Sequence, residues 1–145
     1  MDPTGSPGSE GGGGRPRLLV VDDDERVRKA LSRTLGRRYD VTAVATGEAA
    51  LAAVGDRPFD AAIVDYEMPG MNGVELVRRL AVEHPGLARI MLTGYAELPE
   101  IVALKREELA VAVLMKPWEP SDLEHAISVA LRAGASHGAG GPDAT

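Results

Sequence analysis

The chain has 145 residues, 16 basic against 22 acidic side chains, a net charge of −6 and no cysteine. That balance argues against a nucleic-acid-binding face, which needs a basic surface; the lack of Cys excludes a disulfide scaffold, a thiol nucleophile and a Cys-based zinc site. The longest apolar run, Leu109 to Met115, is far below the roughly 20 residues of a membrane span, and the opening MDPTGSPGSEGGGG lacks the basic-then-apolar order of a secretory signal. Residues 1–16 are mostly Gly, Pro and Ser, so they bury too little to offset the entropy of ordering and are expected to form a flexible arm. Residues 134–145 read the same way, as a flexible tail or the start of a linker, leaving 17–133 for one domain with one core.

Within 17–133, two patterns alternate. The apolar run 17–21 (RLLVV) predicts a first strand, and Val27, Leu31 and Leu35 then recur at helical spacing, leaving Arg26, Lys29, Arg33 and Arg37 free to face water. Asp24 is expected to cap this helix rather than to bind metal. A second strand follows at 40–44 (DVTAV), then a short helix over Ala49–Val54 behind Thr46 as N-cap. The third strand is 60–64 (DAAIV), after which Pro69-Gly70 and Asn72-Gly73 shape a turn, with Gly73 expected at positive φ and Met68 and Met71 in local packing. Val74, Val77, Leu80 and Ala81 mark a third helix, and 88–92 (ARIML) a fourth strand. Pro99 suits the first turn of a short helix within 97–107, where Ile101, Val102 and Leu104 give a partial apolar face. The fifth strand is 110–115 (AVAVLM), and Ser121 to Glu124 reads as a capping box opening a last helix that buries Leu123, Ile127, Ala130 and Leu131. Trp118, the single Trp, is either an apolar lid on the sheet edge or a docking residue. His84, His125 and His137 are scattered and receive no role.

Strands that are apolar nearly throughout are buried on both faces, so the alternation predicts an α/β fold with a doubly wound parallel sheet. Functional groups of such a sheet gather beyond the carboxyl ends of its strands. Those ends carry Asp22, Asp23 and Asp24, then Asp65 and Glu67, then Thr93, then Lys116. Carboxylates brought together repel and raise one another's pKa unless a cation joins them, and hard oxygen ligands suit Mg²⁺. A carboxylate beside a divalent ion, with an ammonium and a hydroxyl at hand, is equipped to accept a phosphoryl group in line while positive charge neutralises the equatorial oxygens.

The segments LLVVDDDE (18–25), IVDYEMPGMNG (63–73), MLTGYAE (91–97) and LMKPW (114–118) together resemble the receiver domain of two-component response regulators, over essentially all of 17–133. The resemblance implies a flavodoxin-like, five-stranded sheet of order 2-1-3-4-5. It implies Asp65 as phospho-acceptor, Thr93 as the switch hydroxyl and Lys116 as the phosphoryl contact. Asp22, Asp23, Asp65 and the backbone carbonyl of Glu67 would hold Mg²⁺, Asp23 directly and Asp22 largely through water. It further implies a cis Lys116-Pro117 bond. The chain departs from the family in one place: Val113 stands three residues before the lysine, where an aromatic residue often couples to the threonine. Tyr95 is expected to substitute in part or to shield the phosphoryl group, so that Tyr95→Ala hydrolyses its acyl phosphate faster.

Implied partners are a histidine kinase or phosphotransfer protein, which the basic face of the first helix could help dock, an output domain or partner protein, and a second copy through 97–133. Neither direct nucleic-acid contact nor a membrane is expected, and the location expected is the cytoplasm. A Mg²⁺-dependent phosphohydrolase would need a second carboxylate as acid–base, for which Glu67 is the only candidate. A flavodoxin-like phosphate binder needs a Gly/Ser/Thr-rich loop after the first strand, where Asp22-Asp23-Asp24 would repel an anion. A phosphate-independent receiver is opposed by the intact set of Asp22, Asp23, Asp65, Thr93 and Lys116.

Overall fold

A computed structural model describes the backbone of residues 14–140 and the side chains through Ala133. The expected arm over 1–13 and the last residues of the expected tail, 141–145, lie outside the described residues. The elements run β1 (Arg17–Val21), α1 (Glu25–Leu35), β2 (Asp40–Val44), α2 (Gly47–Asp56), β3 (Ala61–Asp65), α3 (Gly73–Glu83), β4 (Ala88–Thr93), α4 (Pro99–Arg106), β5 (Ala112–Met115) and α5 (Pro120–Gly140). All strand pairs are parallel, in the order β2-β1-β3-β4-β5.

The period of two along each strand divides the core into halves. Leu18 and Val20 of β1, Ala61 and Ile63 of β3, and Ile90 and Leu92 of β4 pack with Leu31 and Leu35 of α1 and Leu123 and Ile127 of α5. Leu19, Val21, Ala62, Val64 and Met91 face the other way, against α2, Leu76, Val77 and Leu80 of α3, and Ile101 and Leu104 of α4. Each fully buried Leu or Ile contributes about 1.5–3 kcal/mol over its exposed state. The central strands therefore hold the carboxyl edge rigidly, and the site sits on that edge.

The caps follow the side-chain chemistry at most helix starts. Asp24 accepts from the Arg26 amide at 2.9 Å and Thr46 from the Ala49 amide at 3.0 Å, each satisfying a donor the helix itself leaves free. Pro99 occupies the first turn of α4, as its spacing indicates. Three expectations are corrected. The capping box is at Asn72–Glu75 on α3, while α5 begins at Pro120 and places Ser121 inside the first turn. Gly70, not Gly73, takes positive φ, at 76°. β5 starts at Ala112 rather than 110, because Glu108 turns the chain at φ 61° and the Leu109 amide closes back on the Leu104 carbonyl. Helical backbone in α5 runs past Ala133 to Gly140.

Candidate functional site

Each charged residue of the carboxyl edge is placed by the strand before it. β1 ends at Val21, and the Asp22 amide donates to the Val44 carbonyl, so Asp22 continues the sheet line before the chain turns into α1. Asp22 Oδ1 accepts from the Asp24 amide at 2.9 Å, whereas Oδ2 is buried with no hydrogen-bond partner among the described residues. Asp65 is the last residue of β3 and pairs in register with Leu92; it is 2 % exposed. Gly73 makes this possible by close approach rather than by φ. A Cβ there would stand 2.5 Å from the Asp65 carbonyl oxygen and 2.8 Å from Tyr66 Cα.

Asp22, Asp23 and Asp65 each offer a carboxylate oxygen, all within 4.8 Å of one another, with Asp22 and Asp65 buried and Asp23 exposed. Burial pushes the Asp65 carboxyl up to about 6; the neighbouring Lys116 ammonium pulls it back, and the charge of Asp22 adds to the rise. Asp22 is also raised, chiefly by burial, against the Asp24 amide that favours its charged form. Lys116 Nζ lies 2.5 Å from Asp65 Oδ1 and 3.1 Å from Glu67 Oε1. Burial works against the ammonium, but its contacts with Asp65 and Glu67 prevail and its pKa is raised. Asp65 Oδ1 lies within ion-pair distance of that ammonium without hydrogen-bond alignment.

Thr93 ends β4 fully buried, its Oγ1 accepting from the Tyr95 amide at 2.9 Å. Its carbonyl accepts from the Lys116 amide at 2.8 Å, tying the ends of β4 and β5 together. Lys116-Pro117 is cis, as the resemblance implies. The structure thus brings Asp22, Asp23 and Asp65 into one cluster, joins Lys116 to Asp65, and sets Thr93 beside Lys116 on the same edge. Val113 is partly buried against the core cluster that contains Ile101 and Leu104, and Tyr95 is 51 % exposed. Trp118 is partly buried and packs against the cluster holding Leu123 and Ile127, which is the lid reading.

Sequence reasoning overlooked two features. One is the pair of contacts made by the Glu67 carboxylate, whose Oε1 meets Lys116 and whose Oε2 accepts from the Gly94 amide at 3.2 Å. Glu67 sits at a tight turn beyond the strand, the Met68 amide donating to the Tyr66 carbonyl at 3.1 Å, so strand alternation does not place its side chain. The other is Tyr66, whose hydroxyl donates to Glu100 in the first turn of α4 and whose amide donates to the Leu92 carbonyl. No local pattern announces a contact between residues so far apart in sequence. A separate cavity of about 430 Å³, lined by Leu87, Arg89, Lys105 and Glu108 among others, opens at the strands' amino end and takes no part in this site.

A family model described as response regulator receiver domain matches residues 18–128. The chain belongs to that family. The receiver is 33 % identical over 116 residues to the hydrogenase transcriptional regulatory protein HoxA of Cupriavidus necator, covering 80 % of this chain and 24 % of the relative. It is 34 % identical over 119 residues to the DNA-binding response regulator MtrA of Mycobacterium tuberculosis, covering 81 % of this chain and 51 % of that one. The receiver thus spans between a quarter and about half of the length of these curated relatives. A CheY-like receiver domain protein from Methanospirillum hungatei superposes with a TM-score of 0.79 at 32 % identity, covering 86 % of this chain and 99 % of that one. The chemotaxis protein CheY4 of Vibrio cholerae gives 0.74 at 30 % identity, with 81 % and 100 % coverage. Phosphorylation-dependent signalling is the general function of the receiver family, and Mg²⁺ binding at an acidic cluster is typical of it. No helix among the described residues is long and apolar enough to cross a membrane.

Proposed function

We propose that this receiver is a signalling switch in which Asp65 accepts a phosphoryl group from a phosphohistidine of a histidine kinase or phosphotransfer protein, or from a small acyl phosphate. An Asp65 oxygen forms the new O–P bond as the N–P bond of the donor breaks, and the donor imidazole keeps the released electron pair and takes up a proton. The observation that carries this reading is the Lys116 ammonium 2.5 Å from Asp65 Oδ1, a cation set against a buried carboxylate at a strand end. Three acidic oxygens within 4.8 Å of one another, from Asp22, Asp23 and Asp65, and a buried Asp22 Oδ2 without a hydrogen bond among the described residues, fit a hard divalent cation. Asp23 and Asp65 would hold Mg²⁺ directly, with Asp22 through water and the Glu67 carbonyl as a further oxygen. Bound there, the ion supplies positive charge to the transferring oxygens.

The chain's own groups do the rest. Lys116 neutralises phosphoryl oxygens, and burial of Asp65 excludes water from the carboxyl carbon. Thr93 Oγ1, held by the Tyr95 amide at rest, turns to donate to the new anion. An added charge near −2 then biases the β4–α4–β5 face between two arrangements. The domain catalyses its own transfer and hydrolysis only. Its proposed setting is the cytoplasm, with 17–133 as the functional domain and 1–16 and 134–145 as flanking segments. An output domain, a partner protein or a second copy through 97–133 reads the switch.

Intact-mass measurement after incubation with acetyl phosphate tests the proposal. A gain of one phosphate that needs both Mg²⁺ and Asp65 supports it, and a gain that survives Asp65→Asn contradicts it.

A further inference from the structure

A phosphoryl group on Asp65 needs donors for its oxygens, and the resting structure already has an anion on two of them. Glu67 Oε1 lies 3.1 Å from Lys116 Nζ, and Glu67 Oε2 accepts from the Gly94 amide at 3.2 Å. The same ammonium is 2.5 Å from Asp65 Oδ1, so the two carboxylates share one cation. A carboxylate and a phosphoryl group are both planar-edged or tetrahedral oxyanions that take charge-assisted bonds of this length. The geometry points to Glu67 as an internal stand-in for the phosphoryl group, one that must leave Lys116 and Gly94 before Asp65 can be modified. This inference rests on Asp65 being the acceptor.

Three further observations agree. The Glu67 side chain is 36 % exposed, so it can swing into solvent without carrying its charge through an apolar layer. It follows β3 on a chain held elsewhere: the Tyr66 amide is fixed to Leu92 and the Met68 side chain is buried, which leaves Glu67 as the free side chain between two anchors. Its charge also adds to the forces that disfavour ionised Asp65, so departure of the carboxylate relieves repulsion at the nucleophile. Glu67 is accordingly a positioning residue that sets how readily the site accepts an anion, and its release frees a negative charge beside the Gly94–Tyr95 loop.

The test compares wild type with Glu67→Gln and Glu67→Asp. Gln removes the charge, while Asp keeps it on a side chain one methylene too short to span Lys116 and Gly94 together. With acetyl phosphate and saturating Mg²⁺, both variants are expected to be phosphorylated faster, the Gln variant by roughly tenfold, which corresponds to ~1.4 kcal/mol. Without phosphodonor or Mg²⁺, the Gly94 amide resonance is expected to move in both variants, because its acceptor has changed. Acceleration in Glu67→Gln alone would assign the effect to charge and overturn the stand-in. So would an unmoved Gly94 resonance, or slower phosphorylation in either variant. Failure of wild type and both variants to gain phosphate, with the Gly94 resonance shifted as expected, would instead overturn the assignment of Asp65 as acceptor.

Discussion

The two ends of the sheet both carry charged side chains and treat them in opposite ways. At the amino end, the Arg17 amide donates to Asp60, Nη1 donates to the Pro58 carbonyl, and the guanidinium carbon sits 4.7 Å from the Phe59 ring centroid. Arg89 reaches the Leu109 and Leu87 carbonyls at 2.6 and 2.7 Å, and burial alone lowers its pKa. Cations there are met by carbonyls, a ring and carboxylates, opposite or neutral partners throughout, although Arg17 Nη2 is buried without a hydrogen bond among the described residues. At the carboxyl end, Asp22, Asp23 and Asp65 crowd together, and a buried Asp22 oxygen has no partner. Like charges held close are a cost that a fold selected for stability alone would remove, and they persist where a bound cation and an incoming anion complete the set. The contrast separates a scaffold end from a working end.

The sharpest way to break that contrast is Asp65→Asn. In the metal-free protein the folded state holds a proton on Asp65 up to about pH 6, whereas an ordinary aspartate releases it near 3.8. The folded state therefore binds more protons across that window, and stability falls as pH rises through it. At pH 7 the variant is expected to be about 1–3 kcal/mol more stable than metal-free wild type by urea unfolding, and to have lost this pH dependence. Equal stabilities would mean that the carboxyl end carries no stored cost.

Gly73→Ala works in the opposite direction. The new Cβ meets backbone atoms of Asp65 and Tyr66 that have no room to give, so a loss of roughly 1–3 kcal/mol is expected, with slower phosphorylation because Asp65 is displaced. Mg²⁺ should raise the thermal midpoint of wild type, and EDTA should reverse it. Asp22→Asn is expected to weaken that effect, with apparent affinity lower by about 10-fold or more. At the other end, Arg89→Met should cost roughly 1 kcal/mol by leaving two carbonyls unmet while phosphorylation proceeds at the wild-type rate. The smallest change belongs to Tyr66→Phe, which frees Glu100: amide exchange is expected to quicken in the first turn of α4 and nowhere in β3.

Much of the scaffold is legible in the chain. The apolar run 61–64 is buried on both faces, which only a covered parallel strand permits, and Asp24 and Thr46 cap the helices their chemistry suits. The acidic cluster was legible because Asp22, Asp23 and Asp65 stand at the ends of such runs. What stayed hidden depends on distance in space. Ser121 and Glu124 have capping-box spacing, yet the chain enters α5 at Pro120, while Asn72, which reads as part of a turn, forms the box with Glu75. Gly73 reads as a turn residue, but its reason is a carbonyl 2.5 Å away on another segment. Glu67 was weighed for its backbone carbonyl and as an acid–base candidate, and the partners that turn its side chain inward, Lys116 and Gly94, lie far along the chain.

Asp65, and no other carboxylate of the acidic cluster, is expected to receive the phosphoryl group. Borohydride reduces an acyl phosphate to the alcohol, which leaves homoserine at the modified aspartate, and peptide mass mapping reads its position. After treatment with acetyl phosphate and Mg²⁺, homoserine is expected at position 65. Reduction at position 22 or 23, or at Glu67, or at no carboxylate in a sample that has gained phosphate, would rule out Asp65 as the acceptor.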